Sequence, residues 1–253
     1  MHRRIAVAVV GALLAVAPAR ADDVAGFYKG KAVTLTVGAG AGGGYDTLAR
    51  TVARFLGQHL PGQPIIVVRN MAGGSAAANF LYGNAEKDGS HIGLLQNNAA
   101  FEPLFGAKGA RYDPAKFNWL GTPGVETGLF VVWNAVPVNA LDDARTRETT
   151  VGTAGINSTP AFHARLFNDV FGTRLKIVGG YPGQTDAFFA MERGELDGYA
   201  SVLYSALQAT RADWLPQKKI RVILYYGPEQ RPEFAGVPYA HAVARNADDR
   251  MLL

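Results

Sequence analysis

The chemistry legible in this chain is carried by backbone more than by side chains. The run Val33-Thr-Leu-Thr-Val-Gly-Ala-Gly-Ala-Gly-Gly-Gly-Tyr-Asp46 leads from a short β-branched stretch through a glycine-rich loop to a helix predicted to begin at Tyr45. Residues without a Cβ let N–H groups turn toward a ligand, and a helix start adds the positive end of its dipole, so the expected chemistry is capture of a small anion. A second polar helix entrance lies at Thr153-Ala-Gly-Ile-Asn-Ser-Thr-Pro160, where Ser158 or Thr159 is expected to cap the helix and Pro160 suits its first turn.

The first loop also spells GxGxxG at Gly38, Gly40 and Gly43, the fingerprint of dinucleotide sites. That fold places an acidic residue after the second strand to hold a ribose hydroxyl, and the corresponding run Ile65-Ile-Val-Val68 ends in Arg69-Asn70. An arginine there could suit a 2′-phosphate, so spacing alone leaves a nucleotide-binding oxidoreductase open. The expected compartment argues against it. Arg3 and Arg4, the apolar run Ile5 to Ala17, and Ala19-Arg20-Ala21 before Asp22 match a secretory signal over residues 1–21, cleaved near Ala21/Asp22. The apolar run is shorter than the ~20 residues of a membrane anchor, so the mature protein is expected to be exported, to the periplasm, where free nicotinamide cofactor is not.

The 253-residue chain carries a formal net charge of +4, but three of its 25 basic residues lie in that signal, ahead of any acidic one. The mature protein is thus near neutral, and no nucleic-acid partner is expected. Cysteine is absent, which excludes disulfides, thiolate metal sites and a catalytic thiol. His2, His59, His91, His163 and His241 are scattered without HExxH spacing, so no metal and no acid–base pair is indicated. Gly73-Gly-Ser-Ala-Ala77 misses the last glycine of a GxSxG nucleophile elbow. The chain is therefore read as a non-enzyme without cofactor, with an exported α/β hydrolase as the alternative, because triads assemble from distant residues.

The elements that must position the two loops follow from hydrophobic period. Strands are predicted at Val33–Val37, Ile65–Val68 and His91–Leu95, with helices at Tyr45–His59 and near Ala76–Tyr82. Leu48, Val52, Phe55 and Leu56 form the expected packing face of the first helix. A second set has strands at Gly128–Trp133, Thr149–Thr153, Arg174–Val178 and Leu196–Ser201, with helices at Pro160–Phe171 and Gln184–Arg193. Strand–helix alternation predicts parallel α/β sheets with ligands beyond the carboxyl ends of their strands. Two lobes, each offering a helix entrance, would form the jaws of a hinge-closing receptor.

Several motifs together carry a resemblance: Phe27-Tyr-Lys-Gly-Lys-Ala-Val-Thr-Leu, the GAGAGGGYDTLAR segment, Arg69-Asn-Met-Ala-Gly-Gly-Ser75, Lys87-Asp-Gly-Ser-His-Ile-Gly93, Gly179-Gly-Tyr-Pro-Gly-Gln184 and Met191-Glu-Arg-Gly-Glu-Leu-Asp-Gly198. The ordered set, spread over nearly all of the mature chain, resembles the Bug/TctC family of extracytoplasmic solute receptors of tripartite tricarboxylate transporter (TTT) systems. The resemblance implies an α/β, two-lobed periplasmic-binding-protein fold of type II, the Venus flytrap. It further implies a small organic acid (a tricarboxylate, a dicarboxylate or a relative) held between the lobes, and membrane permease subunits as partners of a monomeric receptor.

The same resemblance implies lobe 1 at residues 22–122 and 222–253 and lobe 2 at 123–221. Members of the family run on beyond the position of Leu253, so the fold is expected to be C-terminally truncated, with part of the packing of lobe 1 missing. Carried onto this chain, the ligand positions are Ala41, Gly42, Gly43, Gly44, Tyr45 and Asp46 in the first loop and Thr153, Ala154, Asn157, Ser158 and Thr159 in the second. Tyr181 and Gln184 would add second-lobe contacts, and Asn97, just past a strand end, could reach the ligand or serve only as a turn residue. Asp46 is read as a pocket-edge residue; a first-turn carboxylate pairing with Arg50 at i+4 explains it without a ligand. Tyr45 could close over the ligand or merely pack.

Overall fold

The computed structural model describes residues 21–73 and 75–253. The expected signal sequence lies, apart from Ala21, outside the described residues. Among those described, no helix is long and apolar enough to cross a membrane. The chain runs α1 (Ala21–Tyr28), β1 (Ala32–Val37), α2 (Gly44–His59), β2 (Ile65–Asn70), α3 (Ala76–Gly83), β3 (His91–Leu94), β4 (Gly128–Trp133), α4 (Leu141–Thr146) and β5 (Thr149–Gly152). It continues through α5 (Thr159–Phe171), β6 (Leu175–Val178), α6 (Gln184–Glu192), β7 (Gly198–Leu203), α7 (Tyr204–Thr210), β8 (Ile220–Tyr226), α8 (Ala240–Val243) and α9 (Ala247–Met251).

Two sheets divide the molecule. The first, ordered β2-β1-β3, is parallel throughout, with Val33 opposite Ile66 and Leu35 opposite Ile92. Its β1 is buried because α2 lies on it: Leu35, Val37 and Ala49 form the core, joined by Tyr45, Ala53, Ile66 and Leu94. The helix face that packs is therefore Tyr45, Ala49 and Ala53. The expected face is only partly right, since Phe55 is 51% exposed. Alanines at four-residue spacing bring the helix axis close to the sheet, and the bulkier neighbours are rotated outward.

The second sheet is ordered β6-β5-β7-β4-β8. It is mixed rather than purely parallel: β5 runs parallel to β6 and β7, whereas β4 is antiparallel to both β7 and β8. Leu129 to Val132 are fully buried because both faces of β4 are covered. On one side Phe130 and Val132 meet Ala164, Phe167 and Phe171 of α5; on the other Leu129 and Val131 meet Phe188 and Met191 of α6 and Trp214.

The expected return of residues 222–253 to lobe 1 is corrected by this topology. β8 zips onto β4 from Gly128↔Tyr226 to Trp133↔Ile220, and Ala240, Val243 and Leu253 pack against the α5 side of the same sheet. A strand that is apolar at Val222, Ile223 and Leu224 completes whichever sheet offers an open edge, and β4 offers one. The first sheet keeps three strands, and β2 leaves Ile65 and Val67 at 72% and 46% exposure on its outer face.

Candidate functional site

The two sheets meet across a cleft with an empty volume of about 520 Å³, counting its open mouth. Its walls come from the glycine loop (Ala39, Gly40, Gly43, Gly44), Tyr45, Ala72, Gly73 and Gln96 on the first side, and from Ala154, Ser158, Pro160, Gly183, Gln184, Tyr199, Ser201 and Leu203 on the second. Three helices start at this cleft: α2 after Gly43, α5 after Ser158, and α6 after Gly183. Each contributes about half a positive charge at its first turn. No Lys, Arg, Asp or Glu side chain lines the walls among the described residues. The result is a cavity without charged side chains, onto which the positive ends of three helices converge.

The glycine loop is positioned from behind. Asp46, buried in the first turn of α2, accepts from the Gly42 N–H (2.8 Å), from Arg50 Nε (2.9 Å) and from Asn70 Nδ2 (2.9 Å). Asn70, at the end of β2, also donates to the Ala39 carbonyl (3.1 Å). The residue pair Arg69-Asn70, which the nucleotide reading needed as a ribose or phosphate partner, is thus committed elsewhere: Asn70 fastens the loop, and the Arg69 guanidinium lies over the Phe80 ring.

Desolvation pushes the Asp46 carboxyl upward, but the bonds from Arg50, the Gly42 N–H and Asn70 together hold it below its ordinary value. A depressed carboxylate stabilises the fold above its unfolded pKa, and that contribution disappears as pH falls through the folded pKa. Asp46→Asn is therefore expected to lower the neutral-pH melting temperature and to flatten its decline on acidification below about pH 4, as followed by circular dichroism. An undiminished acid transition in the variant would remove Asp46 as its source.

The loop fits against the other lobe only because it lacks side chains. A Cβ on Gly40 would stand 2.6 Å from the Pro182 carbonyl oxygen and 2.9 Å from Gly183 Cα. The Gly44 N–H, the first free donor of α2, is taken by Gln184 Oε1 (2.9 Å) from the opposite lobe. A reciprocal arrangement holds at α5. Gln96, two residues past the end of β3 at Leu94, places its Oε1 on the Thr159 N–H (2.8 Å) and hydroxyl (3.1 Å), while its Nε2 donates to the Gly38 carbonyl (2.8 Å). Asn98 adds a second strap, accepting from the Thr159 hydroxyl (2.8 Å) and donating to the Asn157 carbonyl (2.7 Å). Each lobe's amide caps a helix of the other.

The expected cap of α5 is accordingly corrected. Ser158 occupies the cap position, but its hydroxyl bonds the Gly155 carbonyl (2.7 Å) and the Thr153 hydroxyl, so it does not bond the helix N–H groups. Of the expected site residues, Gly43, Gly44, Tyr45, Ala154, Ser158 and Gln184 line the cleft. Ala41 and Gly42 are exposed outside it. Thr153 and Thr159 are buried in internal bonds, and Asn157 offers only its carbonyl to Asn98. Asn97 uses its backbone, its N–H donating to the Tyr45 hydroxyl (3.1 Å), and burial pushes that phenol upward. Tyr181 packs in the α6-side core, and Asp46 works from the second row.

Sequence reasoning missed Gln96, Tyr199, Ser201 and Leu203. The last three stand on β7, where an irregularity opposite Leu129–Val131 leaves Tyr199 in the α6-side core and Ser201 against His163 of α5, so a simple two-residue period does not place them together. It also missed a polar cluster behind that wall. His163 Nδ1 lies 3.0 Å from Ser201 Oγ and 3.1 Å from the Tyr226 hydroxyl, which is itself 3.1 Å from Ser201 Oγ. Burial lowers the imidazole to a pKa of about 4, so it is neutral at physiological pH.

This architecture has known counterparts. A solved structure of Rpa4515 from R. palustris with adipate superposes with a TM-score of 0.65 at 22% identity, over 86% of this chain and 73% of that one. MatC from Rhodopseudomonas palustris with bound malate gives 0.65 at 20% identity, covering 84% and 72%. The periplasmic binding protein BugD gives 0.68 at 16% identity, covering 87% and 73%. The fold is that of the Bug and TctC periplasmic binding proteins. In sequence, a UPF0065 protein from the TAR-I ttuE-ttuC' intergenic region of Agrobacterium vitis is 30% identical over 183 residues, 67% of this chain. The chain spans about half the length of that curated relative, 50%. No family model matches. The Bug and TctC likeness drawn from the ordered motifs and the two-lobed α/β expectation both stand, and the solved neighbours are solute-binding rather than catalytic proteins.

Proposed function

We propose that this chain is a periplasmic solute receptor that captures a small organic carboxylate between its two lobes and delivers it to the membrane permease of a tripartite tricarboxylate-type transporter. The observation that carries this reading is the convergence of α2, α5 and α6 on one cleft whose walls hold no charged side chain. Three helix dipoles favour an anion, and the absence of a clamping arginine or lysine favours a small one held by helix ends and neutral polar groups. Adipate and malate in the two similar structures support the carboxylate class. The exported signal reading supports the compartment.

The hydrolase alternative would require His163 and Ser201 to act as a catalytic pair. His163 hydrogen-bonds two hydroxyls, and among the described residues no carboxylate hydrogen-bonds to orient it, so the third member of a triad has no counterpart.

The test is thermal denaturation with adipate and malate beside their dimethyl esters. A ligand at one hundred times its dissociation constant adds about 2.7 kcal/mol. For a domain of this size that raises the melting temperature by roughly 5–10 °C. The free acids, or others of a small carboxylate panel, are expected to produce that rise with no product formed, and the esters none. Equal shifts by acid and ester, or turnover of any of them, would overturn the reading.

A further inference from the structure

The His163–Ser201–Tyr226 cluster lies on the lobe 2 side of the cleft and is not needed to hold a carboxylate at the helix ends. Its three mutual distances, 3.0, 3.1 and 3.1 Å, form a closed triangle. Ser201 also lines the cleft, as do Tyr199 and Leu203 of the same strand. The triangle is thus a polar spot in an otherwise apolar stretch of wall.

Its proton count limits what it can offer. Two hydroxyls bring one proton each, and the imidazole brings at most one to Nδ1. With Nδ1 bare, both hydroxyl protons can be spent inside the triangle, the Ala200 carbonyl 3.5 Å from the Tyr226 hydroxyl being the longer alternative, and a lone pair on oxygen is left for the cleft. With Nδ1 protonated and Nε2 bare, one hydroxyl proton is left over and can point outward. The cluster can therefore meet a ligand group as acceptor or as donor by exchanging imidazole tautomers, without gaining charge. The other titratable groups facing it are the phenols of Tyr45 and Tyr199, and burial raises Tyr199, so they too stay neutral. A second carboxylate arriving there would lose its water with no cation to replace it. A hydroxyl or keto oxygen would be satisfied.

Resting on the carboxylate-receptor reading, we propose that Ser201, held in place by His163 and Tyr226, is a specificity-determining residue that recognises an uncharged oxygen substituent on the ligand, making hydroxy and oxo acids the preferred class. The carboxylate binds at the helix N-termini and the neutral oxygen at Ser201. His163 and Tyr226 act through Ser201 as positioning residues.

The experiment is calorimetric titration of the full chain with acids matched in skeleton: propanoate against lactate, and butanoate against 3-hydroxybutanoate and succinate. Wild type, Ser201→Ala and Tyr226→Phe are compared by the ratio of affinities within each protein, which a general loss of stability does not move. In wild type the hydroxy acid of at least one pair is expected to bind about tenfold more tightly than its parent acid and than succinate. Ser201→Ala is expected to bring that ratio close to one, with Tyr226→Phe between the two. A wild type that binds these acids without preferring the hydroxy form, or a ratio that survives Ser201→Ala, overturns this assignment alone. If none of these acids nor any of the wider carboxylate panel binds, the receptor reading falls and this inference with it.

Discussion

Gly40→Ala is expected to weaken carboxylate binding by about 10- to 100-fold while leaving the unliganded melting temperature nearly unchanged. The added methyl would stand 2.6 Å from the Pro182 carbonyl oxygen and 2.9 Å from Gly183 Cα, and these are backbone atoms that cannot swing aside as a flexible side chain would. Relief must come from separating the lobes. Overpacking of this kind costs about 1–3 kcal/mol. When only the closed form binds, that cost appears directly as a reduced population of the competent state and a proportionately higher apparent dissociation constant. Within each lobe nothing is disturbed, because the clash is with the opposite lobe. Gly179→Ala is the matched control: no atom lies within 4 Å of its Cβ position, and its backbone is outside the left-handed region. Titration of both variants with the same acid separates the cases. An affinity for Gly40→Ala equal to that of the control would mean that the lobes do not need this approach to hold ligand.

The same contact shows where the sequence was informative. The glycines were correctly placed at a strand end and a helix start, because β-branched residues followed by glycine and then an amphipathic period constrain local backbone strongly. Their purpose was half legible. Gly43 and Gly44 do expose backbone to the cleft, but Gly40 is glycine because Pro182 and Gly183, far along the chain, press on it. No local pattern encodes that proximity. Gln96 illustrates the limit more sharply: its neighbour Asn97 reads as a turn or ligand residue, whereas Gln96 bridges the lobes by meeting Thr159 across the gap while holding Gly38. His163 looked like one of five scattered histidines, and only the pairing of β7 with β4 and of β4 with β8 brings Ser201 and Tyr226 to it.

The fold-level errors have the same origin. The run at Val222-Ile-Leu224 was readable as apolar, but which sheet it joins depends on the open edge of β4, and the antiparallel sense of β4 itself is invisible to a strand–helix count. The packing face of α2 was misjudged at Phe55 because hydrophobic period rewards large side chains, whereas close helix-on-sheet contact here uses Ala49 and Ala53.

Trp214→Ala is expected to have the largest effect on stability of any single substitution outside the cleft. Trp214 lies outside the regular helices and strands, yet it is 1% exposed and wedged between Trp133 (5.4 Å between ring centroids) and Phe188 (4.7 Å). Deleting a fully buried indole costs about 3–5 kcal/mol. At roughly 2–4 °C per kcal/mol, the melting temperature should fall by about 10 °C or more. Trp119→Ala provides the contrast: that ring is 52% exposed and keeps one hydrogen bond, to the Pro114 carbonyl, so its loss is expected to change stability by less than about 1 kcal/mol. Calorimetric or far-UV melting of the two variants decides between them, and similar small shifts in both would show that the α6-side core tolerates the cavity. The effect should also reach the site. Phe188 belongs to α6, whose first turn carries Gly183 against Gly40 and Gln184 on the Gly44 N–H. Loosening Phe188 loosens that helix on its sheet, so ligand affinity in Trp214→Ala is expected to fall even at temperatures where the variant remains folded, linking a buried aromatic stack to the amide that closes the cleft.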